Sequence, residues 1–172
     1  MKRIGAGAVG SGIVCGIWAY VAAKLSMSFP DLFATWLGFV GITSFFTAGA
    51  SKSAVFRSSA SNIIGVIIGC TIIALSNIFP DSVLFSAVVT GFFTWVICYI
   101  VHIDLLRYAP CTFMGGFSAF ATGGNWEMVV VCTIIGNIAG YLCVKLGNLI
   151  YDMTAKENDD QEEWSVLKLF DD

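Results

Sequence analysis

The chain has 172 residues, 57% hydrophobic and only 12% charged, with a mean hydropathy of +0.82 and a formal net charge of −3. Soluble domains carry about 25% charged residues, so a deficit spread over nearly the whole length excludes a large soluble core and indicates an integral membrane protein. The acidity sits mostly in the C-terminal tail; the body is slightly basic and has no basic run interleaved with aromatics, which excludes nucleic acid as a partner.

A membrane-spanning helix needs about 20 apolar residues at 1.5 Å each. The first candidate is 4–23, uncharged and rich in glycine (Gly5, Gly7, Gly10, Gly12, Gly16). Small residues at three- and four-residue spacing let a neighbouring helix approach closely. The run is long enough to span, so Met1-Lys-Arg is not read as the start of a signal peptide. Phe29-Pro30-Asp31 opens a short second span, 32–48, dense in Phe and Gly. A polar loop, 49–61, with Lys52, Arg57 and five serines leads to a third span, 62–78. A second Phe79-Pro80-Asp81 opens the fourth, 82–101.

His102, Asp104 and Arg107 cluster at the next membrane face. The fifth segment, 105–122, contains Pro110, which removes a backbone hydrogen bond, so it is either kinked or short. Gly123-Gly124-Asn125 form a turn before the sixth span, 128–151. Residues 1–151 are thus expected to form the membrane domain and 152–172 an acidic cytoplasmic tail. Trp164, Leu167 and Phe170 recur every three residues in the tail, as one face of a short amphipathic helix that could lie at the interface or dock a partner.

Six spans place Lys2, Arg3, Lys52, Arg57, Arg107, Lys145, Lys156 and Lys168 on one side and only Lys24 on the other. Positive charge stays cytoplasmic, so both termini are expected inside.

One segment occurs twice. Gly41-Ile-Thr-Ser-Phe-Phe-Thr-Ala-Gly49 aligns with Gly115 to Gly123 at an offset of 74, matching Ser44 with Ser118 and Phe46 with Phe120. Asn62-Ile-Ile-Gly65 aligns with Asn137-Ile-Ala-Gly140 at 75, and Trp18 with Trp95 at 77. The halves are about 4–78 and 82–151. Three spans per half force opposite orientations, so the predicted fold is all-α: six transmembrane helices as a 3+3 inverted repeat, the fifth short or kinked at Pro110.

No catalytic constellation is present. His102 with Asp104 lacks a positioned nucleophile, and no phosphate-binding, dinucleotide or zinc-protease motif occurs. The six cysteines form no C-x-x-C pair and lie in apolar runs, where Cys behaves as a small hydrophobe. Neither enzyme activity, a metal site nor a cofactor is expected.

Polar groups in lipid are costly unless they pair or face water. The matched polar and aromatic residues therefore suggest a path for a small, uncharged solute: Ser44, Phe46, Asn62, Thr112, Phe113, Ser118, Phe120 and Asn137. Gly41, Gly49, Gly115, Gly116 and Gly123 are expected to allow close helix packing. The readings are a channel or facilitator, an alternating-access carrier, or a non-transporting scaffold that recruits a cytoplasmic partner through its tail. Association into a homo-oligomer through glycine-rich helices is expected.

Ser11-Gly-Ile-Val-Cys-Gly-Ile-Trp-Ala-Tyr-Val-Ala22, Trp36-Leu-Gly-Phe-Val-Gly41 and Pro110-Cys-Thr-Phe-Met-Gly115, with Phe120-Ala and Gly124-Asn-Trp126, carry a resemblance. On these stretches the chain resembles the YcdZ-type family of small bacterial inner-membrane proteins of unknown function, over most of 4–151. The resemblance implies a bacterial inner-membrane location and supplies no catalytic residues; the acidic tail departs from the family.

Overall fold

The computed structural model describes residues 2–154; Trp164, Leu167 and Phe170 lie outside the described residues. Among the described residues all regular structure is helical: α1 (Arg3–Ser28), α2 (Thr35–Thr47), α3 (Lys52–Ser76), α4 (Val83–Tyr99), α5 (Ala109–Ala121) and α6 (Trp126–Thr154), with two 3-10 turns, Ile100–His102 and Asp104–Leu106, between α4 and α5.

Four helical segments are long and apolar enough to cross a membrane: Arg3–Ser28, Lys52–Ser76, Val83–His102 and Trp126–Thr154. α2 and α5 have 13 residues each and rise only about 20 Å, short of a hydrocarbon core of about 30 Å. Both end in a sharp reversal with left-handed backbone: Gly49 (φ 93°) and Ala50 (φ 51°) after α2, Gly123 (φ 64°) and Gly124 (φ 90°) after α5. A Cβ on Gly123 would meet open space, so this glycine is there for its backbone angle rather than for packing.

Pro110 stands in the first turn of α5, where its missing N–H interrupts no helical bond. It starts the helix instead of kinking it, and the fifth helix is short because the chain before it runs through the 3-10 turns. The expected loop 49–61 is the second departure. Ser51 caps α3 by accepting a hydrogen bond from the Ala54 amide at 3.2 Å, and the helix begins at Lys52. The polar residues of that stretch therefore lie on its first three turns.

The helices α2, α3, α5 and α6 form the centre. α5 packs along α3 and α2 along α6; α1 lies on α6, and α4 lies on α3. Glycines set the spacing. A Cβ on Gly10 of α1 would come within 2.6 Å of the Gly147 amide of α6, and Gly38 of α2 lies under the Trp18 ring. The Trp18 indole Nε1 donates to the Thr35 carbonyl at 3.0 Å. Trp95, its partner in the sequence alignment, sits instead on the outer side of α4, 58% exposed and stacked on Tyr99 at 5.4 Å.

The outer surface is apolar. α4 buries only Ile97, and Val83, Leu84, Phe92 and Tyr99 all lie exposed. In water such a surface would mark an interaction site; around apolar helices it is the face that lipid covers. Gly12 and Gly16 of α1 are exposed, with nothing within 4 Å of a Cβ built on either. Gly12→Ala and Gly16→Ala should therefore keep or raise the thermal unfolding temperature in detergent, each gaining up to about 1 kcal/mol of helix propensity. A marked drop would mean that a neighbour presses on this face.

The ends of the helices gather into two groups. At one end the Arg3 guanidinium stacks 4.8 Å above the Tyr151 ring. The Asp104 carboxylate accepts from Arg57 at 2.8 Å and from Arg107 at 3.3 Å. These exposed pairs are worth about 0–1 kcal/mol each, and they tie α3 to the segment before α5. At the other end the Asn125 amide Nδ2 donates to the Asp31 carbonyl at 2.7 Å.

Candidate functional site

Asn62 lies ten residues into α3 and Asn137 eleven into α6, each about 15–16 Å along its helix and so near the middle of a hydrocarbon core of about 30 Å. Both are fully buried, as are Ser44, Ser58, Ser61, Thr112, Ser118 and Thr133. These residues form a polar interior to an otherwise apolar bundle.

The matched segments meet crosswise. Gly41 of α2 lies against Asn137 of α6: a Cβ there would be 2.8 Å from the Gly136 Cα and 3.0 Å from the Asn137 amide. Gly115 of α5 lies against Asn62 of α3: a Cβ there would be 2.8 Å from the Asn62 carbonyl carbon and 3.0 Å from its Cα. Each short helix thus presses its glycine onto the asparagine of a long helix distant in sequence. Gly65 faces the Thr112 carbonyl, and Gly140 holds the Phe45 ring.

The two asparagines differ in their bonding. Asn137 is held at both ends of its amide: the Ser58 hydroxyl donates to its Oδ1 at 2.6 Å, and its Nδ2 donates to Ser59 Oγ at 3.1 Å. Asn62 is held at one. Its Oδ1 accepts from the Ser44 hydroxyl at 3.0 Å, which also points at the Met114 sulfur at 3.1 Å. Its Nδ2 has no partner, and neither does Ser61 Oγ or Thr112 Oγ1. A buried donor without an acceptor costs about 1–3 kcal/mol, so three of them around one helix crossing are notable.

Of the residues expected to line a path, Ser44, Asn62, Thr112, Ser118 and Asn137 are all in this interior. Ser118 turns its hydroxyl to the Met114 carbonyl of its own helix at 2.7 Å. Phe46 is half-buried, edge-on to Phe45 at 5.4 Å. Phe113 and Phe120 lie with Phe117 on the outer face of α5, 40%, 45% and 50% exposed, away from the polar groups. Of the glycines, Gly41 and Gly115 sit at the closest approaches. A Cβ on Gly116 would make an ordinary 3.5 Å contact with the Gly65 carbonyl. Gly49 and Gly123 shape turns.

Sequence reasoning missed Ser58, Ser59 and Ser61 because it placed them in a loop. A signal was available: Ala54, Ser58, Ser61, Gly65, Gly69 and Ile72 recur every three or four residues and are the buried face of α3. His102 does not pair with Asp104; its Nδ1 lies 2.7 Å from the Tyr99 carbonyl.

A groove of about 600 Å³ lined by Ile67, Cys70, Ala74 and Trp126, and another of about 690 Å³ lined by Val14, Leu142, Lys145 and Leu149, open on the outer surface, and neither is lined by the buried polar side chains.

Comparison with known proteins agrees with the sequence resemblance. Residues 8–148 match a family described as "Protein of unknown function (DUF1097)". The chain is similar to Inner membrane protein YcdZ of Escherichia coli (strain K12), 30% identical over 158 residues, covering 91% of this chain and 93% of that protein. It is also similar to YcdZ of Salmonella typhimurium, 31% identical over 136 residues, covering 78% and 81%. A third relative is the uncharacterized protein YahC of E. coli, 29% identical over 164 residues, covering 92% and 99%. No solved structure matches the chain. With its long apolar helices and a match over most of its length, this chain is a helical membrane protein and belongs to the DUF1097 family.

Proposed function

We propose that the protein is a channel or facilitator for a small, polar, uncharged solute in the bacterial inner membrane. The observation that carries this reading is the fully buried hydroxyl and amide cluster at mid-helix depth, three of whose polar atoms lack partners. A bundle that only needed to pack would gain by replacing them with apolar side chains.

The architecture that goes with this reading is two oppositely oriented triplets, α1–α3 and α4–α6, crossing the membrane six times. The crosswise packing of Gly41 on Asn137 and Gly115 on Asn62 supports it, as do two short helices that both end in left-handed turns. The solute passes between the halves, where transporters built on inverted repeats hold their sites. Both termini face the cytoplasm, since Arg3, Arg57 and Arg107 share one end of the bundle and positive charge stays inside. Among the described residues no acid or base is counted with the buried polar side chains, which fits a neutral solute. The polar side chains are fully buried, so in this reading passage requires α2 or α5 to shift against its partner helix.

Purified protein in liposomes should speed the entry of small neutral amides or polyols over protein-free vesicles, without saturation if it is a facilitator. Saturation with counterflow would assign a carrier, and no flux for any solute would leave a scaffold. Deleting 158–172 should not change the rate, because the proposed path is built from residues between Ser44 and Asn137; a lost flux would assign the tail to gating.

A further inference from the structure

We infer that the solute site is one-sided: Asn62, with Ser61 and Thr112, holds a small neutral hydrogen-bond acceptor, while Asn137 is a structural clamp. This rests on the facilitator reading above and names the chemistry it selects. The sequence presents the two asparagines as equivalents at an offset of 75. Their bonding breaks the equivalence, since the Asn137 amide is satisfied at both atoms by Ser58 and Ser59. Both ends of that amide are already engaged with α3, whereas the nitrogen end of Asn62 is engaged with nothing.

Asn62 is fully buried and its Nδ2 carries N–H donors with no acceptor. The two other unpartnered atoms belong to residues of the same two helices, near the same crossing. Ser61 precedes Asn62 on α3 and stands one turn before Gly65, whose missing side chain makes room for the Thr112 carbonyl. Asn62 itself meets Gly115, three residues beyond Thr112 on α5. One α3–α5 crossing thus collects an amide donor and two hydroxyls, with Met114 available to keep the Ser44 proton if Asn62 is engaged elsewhere.

An amide donor demands an acceptor. A carbonyl or hydroxyl oxygen supplies one, and the hydroxyls of Ser61 and Thr112 can then donate to it or accept from it. A donor-only cation cannot satisfy Asn62, and among the described residues no carboxylate is buried to offset its charge. The site therefore takes neutral amides, aldehydes and alcohols and refuses alkylammonium ions.

The experiment uses acetamide as the acceptor probe and methylammonium as the donor-only control, with the full chain in liposomes and in detergent. Wild type should admit acetamide and exclude methylammonium. Asn62→Leu should cut acetamide entry at least tenfold, and Thr112→Val should cut it while raising the unfolding temperature by about 2–4 °C, because an isostere removes an unpartnered hydroxyl. Acetamide should also raise the unfolding temperature of wild type in detergent, and not that of Asn62→Leu. If wild-type vesicles admit no acetamide, the facilitator reading fails, and the thermal shift alone decides the site: a shift lost in Asn62→Leu upholds it, and no shift overturns it. Unchanged acetamide flux in both variants, or methylammonium entry matching acetamide, overturns the inference while leaving transport in place.

Discussion

Gly115→Ala is expected to prevent α5 from seating on α3, whereas Gly116→Ala, one residue further, leaves the fold standing. The added methyl at Gly115 would fall against the Asn62 carbonyl group, 2.8 Å from its carbon and 3.0 Å from the Asn62 Cα. These are backbone atoms of a helix and have no rotamer to turn to, so the whole helix must move. Overpacking a tight core costs about 1–3 kcal/mol and occasionally more. In a membrane the close approach of small residues is itself the main source of helix association, because lipid tails are as apolar as leucine. We expect a loss of about 3 kcal/mol or more, read as a drop in unfolding temperature and in monodisperse yield from detergent. At Gly116 the methyl would sit 3.5 Å from the Gly65 carbonyl, an ordinary contact, so the change should fall within about 0.5 kcal/mol of wild type. Gly41→Ala should match Gly115→Ala in severity, since its methyl would press on the Gly136 and Asn137 backbone. Equal, small effects at all three positions would refute the crosswise packing.

The second large effect is expected at Asn137. Asn137→Leu removes an acceptor 2.6 Å from Ser58 Oγ and a donor 3.1 Å from Ser59 Oγ, both linking α6 to α3 across the centre. Side-chain hydrogen bonds between membrane helices average only about 0.6 kcal/mol, so the bonds alone would cost little more than 1 kcal/mol. The Ser58 hydroxyl keeps its alternative acceptor, the Ala54 carbonyl at 2.7 Å. Leucine branches at the same Cγ but is tetrahedral where the amide is planar, in a site with no exposure. Together the loss should be about 2 kcal/mol. Asn62→Leu should destabilise less, because its Nδ2 had no bond to lose. The ranking, with Asn137→Leu below Asn62→Leu in unfolding temperature, is the measurement that separates a clamp from a binding group.

Membrane class, helical composition and most helix positions follow from the chain alone. A hydropathy of +0.82 leaves few other structures open, since lipid forces every backbone polar group to be satisfied within its own segment. That Asn62 and Asn137 form a matched polar pair was also legible, but the expected span 62–78 put Asn62 at a helix end, and only a helix that begins at Lys52 carries it ten residues inward. The boundary near Lys52 was not legible. Serines are polar on any scale, and a serine-rich run with Arg57 reads as a loop until one sees Ser58 and Ser61 turned inward against α6 and α5.

Tertiary structure alone decided which of the repeated residues are equivalent. Trp18 and Trp95 align, yet one hydrogen-bonds inside the bundle and the other faces outward. Asn62 and Asn137 align, yet the Asn137 amide is hydrogen-bonded at both its oxygen and its nitrogen and the Asn62 amide at its oxygen alone. Phe113 and Phe120 share a short helix with Thr112 and Ser118 but point away from them. Periodicity fixes how deep a residue sits along its helix; the direction its side chain takes depends on how far each helix is rotated about its axis. That rotation is set by where neighbouring glycines let backbones touch, a contact between segments distant in sequence that no local pattern encodes.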